Sequence, residues 1–451
     1  MSRTAELPRV LSLSDATAVV AGIMIGSGIF LVPNTVAQQL PSTGWILAVW
    51  TVCGLHSLLG ALAYAELGAM LPATGGQYVF LREAYGPLWA FLCGWSFFLV
   101  VQTGSLATLA VGFSIYFGHF VPLPPVLSKL PALVAIALLT WVNCRGVRLG
   151  AAVQKVFTVL KVAGLAALIV IPWLAGTPEA AQKPAGEGFA WSGFGVAMIA
   201  CLWTYKGWQT LSFVTGEIRE PQKNVQRALV LGVSLVTVLY LLANFAYLRV
   251  LPIEEIARTP RVAAAAAARA IGPAGASLVS LIIVLSIFGT INGNLLASPR
   301  MYFAQARDGL FFRRLAEVHP RFRTPHVALI VQGVWGGLLA LVASYSSLFS
   351  YVIFAAFIFY GMTVVGVIVL RRKRPELARP YRMWGYPATP LLFAAVTLWF
   401  VVNTILTTPV PSLIGLLFIS TGVPAYYLWR RSAAGSGPSC ESLAASSEAG
   451  D

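Results

Sequence analysis

The chain has 451 residues, 58% of them hydrophobic and 10% charged, with a mean hydropathy of +0.78. A water-soluble domain carries about 25% charged residues, so composition alone disfavours a soluble enzyme, a disordered chain and a nucleic-acid-binding domain. The formal net charge of +15, from 31 Lys and Arg against 16 Asp and Glu, has two readings. It is either an electrostatic footprint for nucleic acid or the excess of basic residues in the cytoplasmic loops of a membrane protein.

A membrane-crossing helix needs about 20 mainly apolar residues. Twelve such runs follow one another, at 13–39, 45–71, 87–118, 131–146, 150–174, 193–217, 226–251, 275–304, 325–344, 347–370, 388–408 and 411–430. None alternates as a barrel strand would, so the predicted class is an all-α polytopic membrane protein with twelve transmembrane helices. The chain divides into an N-terminus of residues 1–12, five runs in 13–174, five in 193–370, two in 388–430 and a tail, 431–451. The first run is too long for a signal-peptide core and no small-residue cleavage site follows it, so it is expected to remain as the first helix. The fourth and fifth runs are separated by the polar stretch Asn143-Cys-Arg-Gly-Val-Arg-Leu-Gly150. The Ser/Gly/Ala-rich tail reads as disordered.

The basic residues choose an orientation. With the N-terminus inside, six fall outside (Lys129, Lys183, Arg249, Arg258, Arg261 and Arg269) and two lie within spans (Lys161 and Lys206). The other 23 of the 31 face the cytoplasm. This positive-inside bias supports twelve spans with both termini cytoplasmic and removes the nucleic-acid reading. The five cysteines (Cys53, Cys93, Cys144, Cys201 and Cys440) avoid the outside loops, so no disulfide framework is expected. Cysteine and histidine show no metal-ligand spacing, so neither metal nor cofactor is expected. No Gly-x-x-x-x-Gly-Lys-Ser/Thr motif occurs, which removes the commonest primary pump.

Two spans carry interruptions. The first contains Gly22-Ile-Met-Ile-Gly26-Ser27-Gly28-Ile-Phe30 and the sixth Trp203-Thr-Tyr-Lys206-Gly207-Trp208. Glycine inside a helix costs about 1 kcal/mol relative to alanine, and in lipid unwound backbone survives only where protein buries it or a polar cavity receives it. Freed N–H groups at the start of a half-helix attract an anion such as a carboxylate, and freed carbonyls suit an ammonium. Together they suit a zwitterionic α-amino acid. The competing reading is helix packing, because Gly22-xxx-Gly26 is a small-xxx-small pattern. A second interruption at the matching position of a second five-span set favours a transporter site.

Gly26-Ser-Gly-Ile-Phe30 resembles the first-helix signature of the amino acid–polyamine–organocation superfamily. So does Ala63-Tyr-Ala-Glu66-Leu-Gly-Ala-Met-Leu-Pro-Ala-Thr-Gly75-Gly76-Gln-Tyr78 with Glu83-Ala-Tyr-Gly86. Val153-Gln-Lys-Val-Phe157-Thr-Val-Leu-Lys161 and Gly207-Trp208…Asn224 narrow the resemblance to the L-type amino acid transporter branch, over about residues 12 to 430. It implies a five-plus-five inverted repeat (a LeuT-like fold) with two further helices, helices one and six broken, and alternating access of an L-amino acid without sodium, by exchange or proton-coupled symport. Carried over by position, the backbone of Gly26, Ser27 and Gly28 holds the substrate carboxylate. The carbonyls near Met24, Ile25, Trp203 and Thr204 hold its amino group, beside Gly207. Trp203 stands where the family keeps an aromatic gate, and its place beside the break in span six favours that role over an ordinary packing or lipid-facing aromatic.

Lys161 lies about eleven residues into its span, or ~16 Å at the helical rise. That depth is beyond easy snorkelling, and an ionisable residue there is a functional candidate by default. The resemblance places it where sodium-coupled relatives of the fold hold a sodium ion between helices one, five and eight. Its ammonium could replace that ion and brace the broken helix, or carry a transported proton. Lys155, nearer the end, reads as an interfacial lysine. Lys206 departs from the family pattern, which has a small or acidic residue there. A cation would repel basic substrates and could attract an acidic side chain; alternatively it points away or pairs with a buried acid. Glu66 and Glu217 are equally ion-pair partners for basic loops or coupling acids. Ser286, Asn292 and Asn294 in the eighth span face a cavity or, more ordinarily, bond helix to helix.

The expected function is therefore a plasma-membrane (inner-membrane) amino acid transporter embedded in the lipid bilayer, and not an enzyme. A cationic amino acid or polyamine antiporter and a non-transporting sensor are the alternatives. A membrane-embedded transferase would want paired carboxylates or a His cluster, for which Asp308, Glu317 and His319 are a poor candidate. The loop 119–130 has no cysteine. Animal light-chain members of the branch use one there to bond a glycoprotein, so no disulfide-linked heavy subunit is expected, as fits a prokaryotic member.

Overall fold

The computed structural model describes residues 7–180, 190–342, 345–407 and 409–435. Arg3, Lys183, Cys440 and the tail beyond Gly435, all assigned above, lie outside the described residues.

Helix occupies every one of the apolar runs, and the described residues contain no strand beyond a single parallel bridge between Leu11 and Ile218. The first helix begins at a reciprocal cap: Asp15 N–H donates to Ser12 Oγ (3.3 Å) and Ser12 N–H to Asp15 Oδ2 (3.0 Å). It runs Leu13–Met24, stops, and resumes as Gly28–Gln39 at an angle of 42°. The second span is Thr43–Met70 and the third Pro87–Phe117. The fourth, Leu130–Cys144, and the fifth, Val147–Leu174, part where expected, at Gly146, whose φ of +146° is readily accessible only to glycine. The sixth run forms Trp191–Thr204 and then a 3-10 stretch, Trp208–Glu217. Beyond it come Pro221–Val250, Pro273–Ala297 with its extension Pro299–Arg307, His326–Val342, Tyr345–Lys373, Ala388–Thr407 and Pro409–Gly435.

Among the described residues nine helices are long and apolar enough to cross a membrane, and the bent first pair makes a tenth. The sixth and ninth runs fall short, the sixth because its α-helix ends at Thr204 and the ninth because it is only 17 residues long. The chain is a multi-pass membrane protein.

The second, third, eighth and tenth spans are mostly buried, whereas the fourth, fifth, eleventh and twelfth turn most of their surface outward. Val156, Val159, Leu160, Leu391 and Leu398 are among the exposed side chains there. Such a surface is a liability in water and a solvent match in lipid. The first half of span one lies against spans five, seven and eight; its second half lies against span six and the short helices Ile253–Arg258 and Val262–Ile271. The broken helix is therefore enclosed by protein on every side that its free backbone would otherwise show to lipid.

Two buried carboxylates, Glu217 and Glu66, are held in ion pairs. Glu217 and Arg300 are both fully buried and paired through two contacts, of 2.8 and 3.2 Å, while the Glu217 carbonyl accepts the amides of Val10 and Leu11 at 2.9 Å each. Glu66 accepts two bonds from Arg371, at 2.8 and 2.7 Å, and one from the Met383 amide at 2.7 Å. Both acids are thus ion-pair partners. Lys155 is exposed and bonded to Asp15 (2.8 Å) and Ser14 (2.9 Å), tying span five to the start of span one.

Candidate functional site

The two helix breaks touch each other. A Cβ on Gly207 would stand 2.9 Å from the Ile23 side chain and 3.0 Å from the Met24 nitrogen; one on Gly28 would stand 2.6 Å from Thr204 Oγ1. Real side chains do not approach so closely, and Gly207 also holds a φ of +133°, so glycine is required where the breaks meet. A hydroxyl from span seven ties the pair together: Tyr240 Oη lies 2.8 Å from the Met24 carbonyl and 3.3 Å from that of Thr204.

A cavity opens beside this contact. Met24, Gly26, Ser27, Gly28, Trp203, Thr204, Lys206 and Gly207 line it, joined by Gln102, Ser105 and Thr108 of span three and by Thr290 and Asn294 of span eight. The glycines of the small-xxx-small pattern have separate jobs. A Cβ on Gly22 would collide with Thr158 and Gln154 of span five, so Gly22 is a packing residue. A Cβ on Gly26 would meet nothing closer than 3.9 Å, because Gly26 faces the cavity. The amides of Ser27 and Gly28 have no acceptor among the described residues, and they open the second half-helix, whose positive dipole end favours an anion.

Ile25 stands apart from the other expected site residues. It is fully buried and off the cavity wall, and its carbonyl accepts from Lys161 Nζ (2.8 Å), Ser286 Oγ (2.9 Å) and Thr290 Oγ1 (3.1 Å). Lys161 is itself fully buried. Its ammonium donates to the carbonyls of Gly22 (2.7 Å), Ile25 and Ser286 (2.8 Å) and to Thr290 Oγ1 (3.0 Å). Spans one, five and eight thus converge on one cation, held entirely by neutral oxygen.

Lys206 does not turn away, nor, among the described residues, does it pair with an acid. Its Nζ donates to Ser105 Oγ at 2.8 Å and lies 5.1 Å from the Trp203 ring centroid, on the cavity wall. Trp203 is half-buried beside it. Asn292 bonds the Gly150 carbonyl and Gln154 Oε1, each at 3.0 Å, so it joins helix to helix. Asn294 accepts from Gln332 (2.8 Å) and also lines the cavity. Sequence reasoning missed Gln102, Ser105 and Thr108, whose spacing of three residues puts them on one face of an apolar run; that polar stripe was the available signal. Tyr240 gave none. No cluster of three or more His, Cys, Asp or Glu able to hold a metal occurs among the described residues.

Comparison with known proteins identifies the family. A family model described as amino acid permease matches residues 11–428. The mouse (Mus musculus) b(0,+)-type amino acid transporter 1 is 34% identical over 437 residues, 95% of this chain and 89% of that protein. The human (Homo sapiens) large neutral amino acids transporter small subunit 2 is 36% identical over 442 residues, 94% of this chain and 80% of that protein. These relatives are transporters rather than enzymes, and the chain belongs with them to the amino acid permease family, in the L-type amino acid transporter branch of the amino acid–polyamine–organocation superfamily.

Proposed function

We propose that the chain is a secondary active transporter moving L-amino acids across the plasma membrane by alternating access, through twelve spans arranged as a five-plus-five inverted repeat with two further helices and both termini cytoplasmic. One observation carries this reading: the breaks of spans one and six meet on a single cavity, with unpaired amides on one side and carbonyls on the other. The zwitterion of an α-amino acid satisfies both. Its carboxylate takes the amides of Ser27 and Gly28 beside Gly26. Its ammonium takes the carbonyls at the two breaks, foremost that of Thr204, which accepts from Tyr240 Oη and keeps a lone pair, beside those of Met24 and Trp203, which each already accept two bonds. Trp203 closes over the substrate. The relatives' names, which specify amino acid transport, support the substrate class.

Lys161 accounts for coupling. Its ammonium occupies the place where sodium-coupled relatives of the fold hold their ion, and it already satisfies the carbonyls such an ion would bind. Transport is therefore sodium-independent, by exchange or with a proton. The test is exchange of a panel of radiolabelled amino acids by the purified protein in proteoliposomes, with and without sodium or a pH gradient. Saturable exchange unchanged by sodium is expected. Stimulation by sodium would overturn the role of Lys161, and binding without flux would mark a sensor instead.

A further inference from the structure

We propose that Lys206 makes this site selective for acidic amino acids, its ammonium receiving the side-chain carboxylate of an amino dicarboxylate. The inference rests on the reading of the cavity as an amino acid site and adds the class of substrate. An ammonium has three N–H donors. Among the described residues, that of Lys206 contacts only the Ser105 hydroxyl and the Trp203 ring, and no Asp or Glu lines the cavity. A cation set into a membrane-depth cavity without a counter-charge is unfavourable, and a carboxylate entering beside it removes that cost. Lysine and arginine meet a like charge at the same place.

A second donor waits on the same wall. Gln102 lies three residues before Ser105, one turn along span three; it is 2% exposed, and its amide nitrogen has no partner among the described residues. Lys206 and Gln102 together offer a carboxylate one charged and one neutral donor on the span-three side of the cavity, away from the span-one amides that suit the α-carboxylate.

Two further crevices in the bundle carry a positive excess. One, between the second half of span one and the helix Val262–Ile271, is lined by His119 and Arg261 with no acid. The other is lined by Arg9, Arg82 and Arg307 against Asp308 alone. Surfaces of one sign concentrate ligands of the other, so an anionic substrate is favoured on both sides of the cavity.

The experiment uses the full chain in proteoliposomes, with labelled aspartate, glutamate, alanine, leucine and lysine. The wild type is expected to exchange the acidic amino acids and to exclude lysine. In Lys206→Ala the ratio of acidic to neutral exchange falls at least about tenfold, the scale of one lost charged hydrogen bond. Lys206→Asp loses the acidic substrates and admits lysine. Competition in the wild type, with excess unlabelled glutamate or lysine against labelled alanine, needs no variant and stays decisive if a variant fails to fold. Exchange of alanine and leucine with glutamate excluded would overturn the proposal and leave the transporter reading intact. Absence of any amino acid exchange would instead overturn the transporter reading. An equal loss across all substrates in Lys206→Ala would place the ammonium on the α-carboxylate and refute the side-chain assignment.

Discussion

Lys161 and Lys206 are two ammonium groups inside the same bundle, and they differ in what surrounds them. Lys161 has four oxygens at 2.7 to 3.0 Å from two other spans, whereas Lys206 has one hydroxyl and the edge of a cavity. A saturated cation holds elements together and has nothing left to offer a ligand; an unsaturated one does little for the fold and is available to bind. The pair teaches that a charge at membrane depth is read by counting its partners.

The largest effect that would break this comparison comes from Lys161→Ala. It leaves two carbonyls of the break in span one without their cation, and exchange should fall about a hundredfold or more, given 1.5–3 kcal/mol for each charged hydrogen bond. Exchange rates equal to wild type would show that Lys161 is a bystander. Next come two glycines, Gly22 in the half-helix ahead of the break and Gly26 within it. Gly22→Ala forces a methyl into Thr158 and Gln154 and should destabilise the protein by about 1–3 kcal/mol, seen as a lower melting temperature in detergent. Gly26→Ala should melt like wild type and transport poorly, since its methyl enters the cavity. Identical behaviour of the two variants would erase the distinction between the bracing and the binding side of the helix. Tyr240→Phe removes the hydroxyl shared by Met24 and Thr204, and about 1 kcal/mol predicts a roughly fivefold slower exchange. The smallest change is that of Ser105→Ala, about two- to threefold and confined to acidic substrates; an equal loss for leucine would move Ser105 out of the side-chain subsite.

The placement of helices was legible in the sequence because apolar length is a one-dimensional property. The Gly146 break between spans four and five and the split at Gly26–Gly28 were legible for the same reason, since glycine marks them directly. The direction of Ile25 was not. Its ψ of 86° turns the carbonyl out of the helical line, and whether an unwound carbonyl faces a cavity or a lysine depends on dihedrals that no residue identity specifies. The ending of span six in a 3-10 stretch was equally hidden, since Trp208–Glu217 remains apolar enough to read as helix. Lys206 was visible as an anomaly, yet its partner Ser105 lies 101 positions away. Only the packed bundle brings them together, and only the packed bundle brings Tyr240 to both breaks.

The junction at Glu217 has a consequence for how this end of the bundle parts. Its carboxylate is paired to Arg300 without solvent contact, and its carbonyl pins two amides of the segment ahead of span one. Drawing the pair apart in a dry interior strands both charges, at a cost of several kcal/mol. In the proposed transport cycle, water would therefore have to arrive with the first displacement, so hydration of Glu217 and Arg300, as well as the ligand held at the breaks, would set how often this face opens.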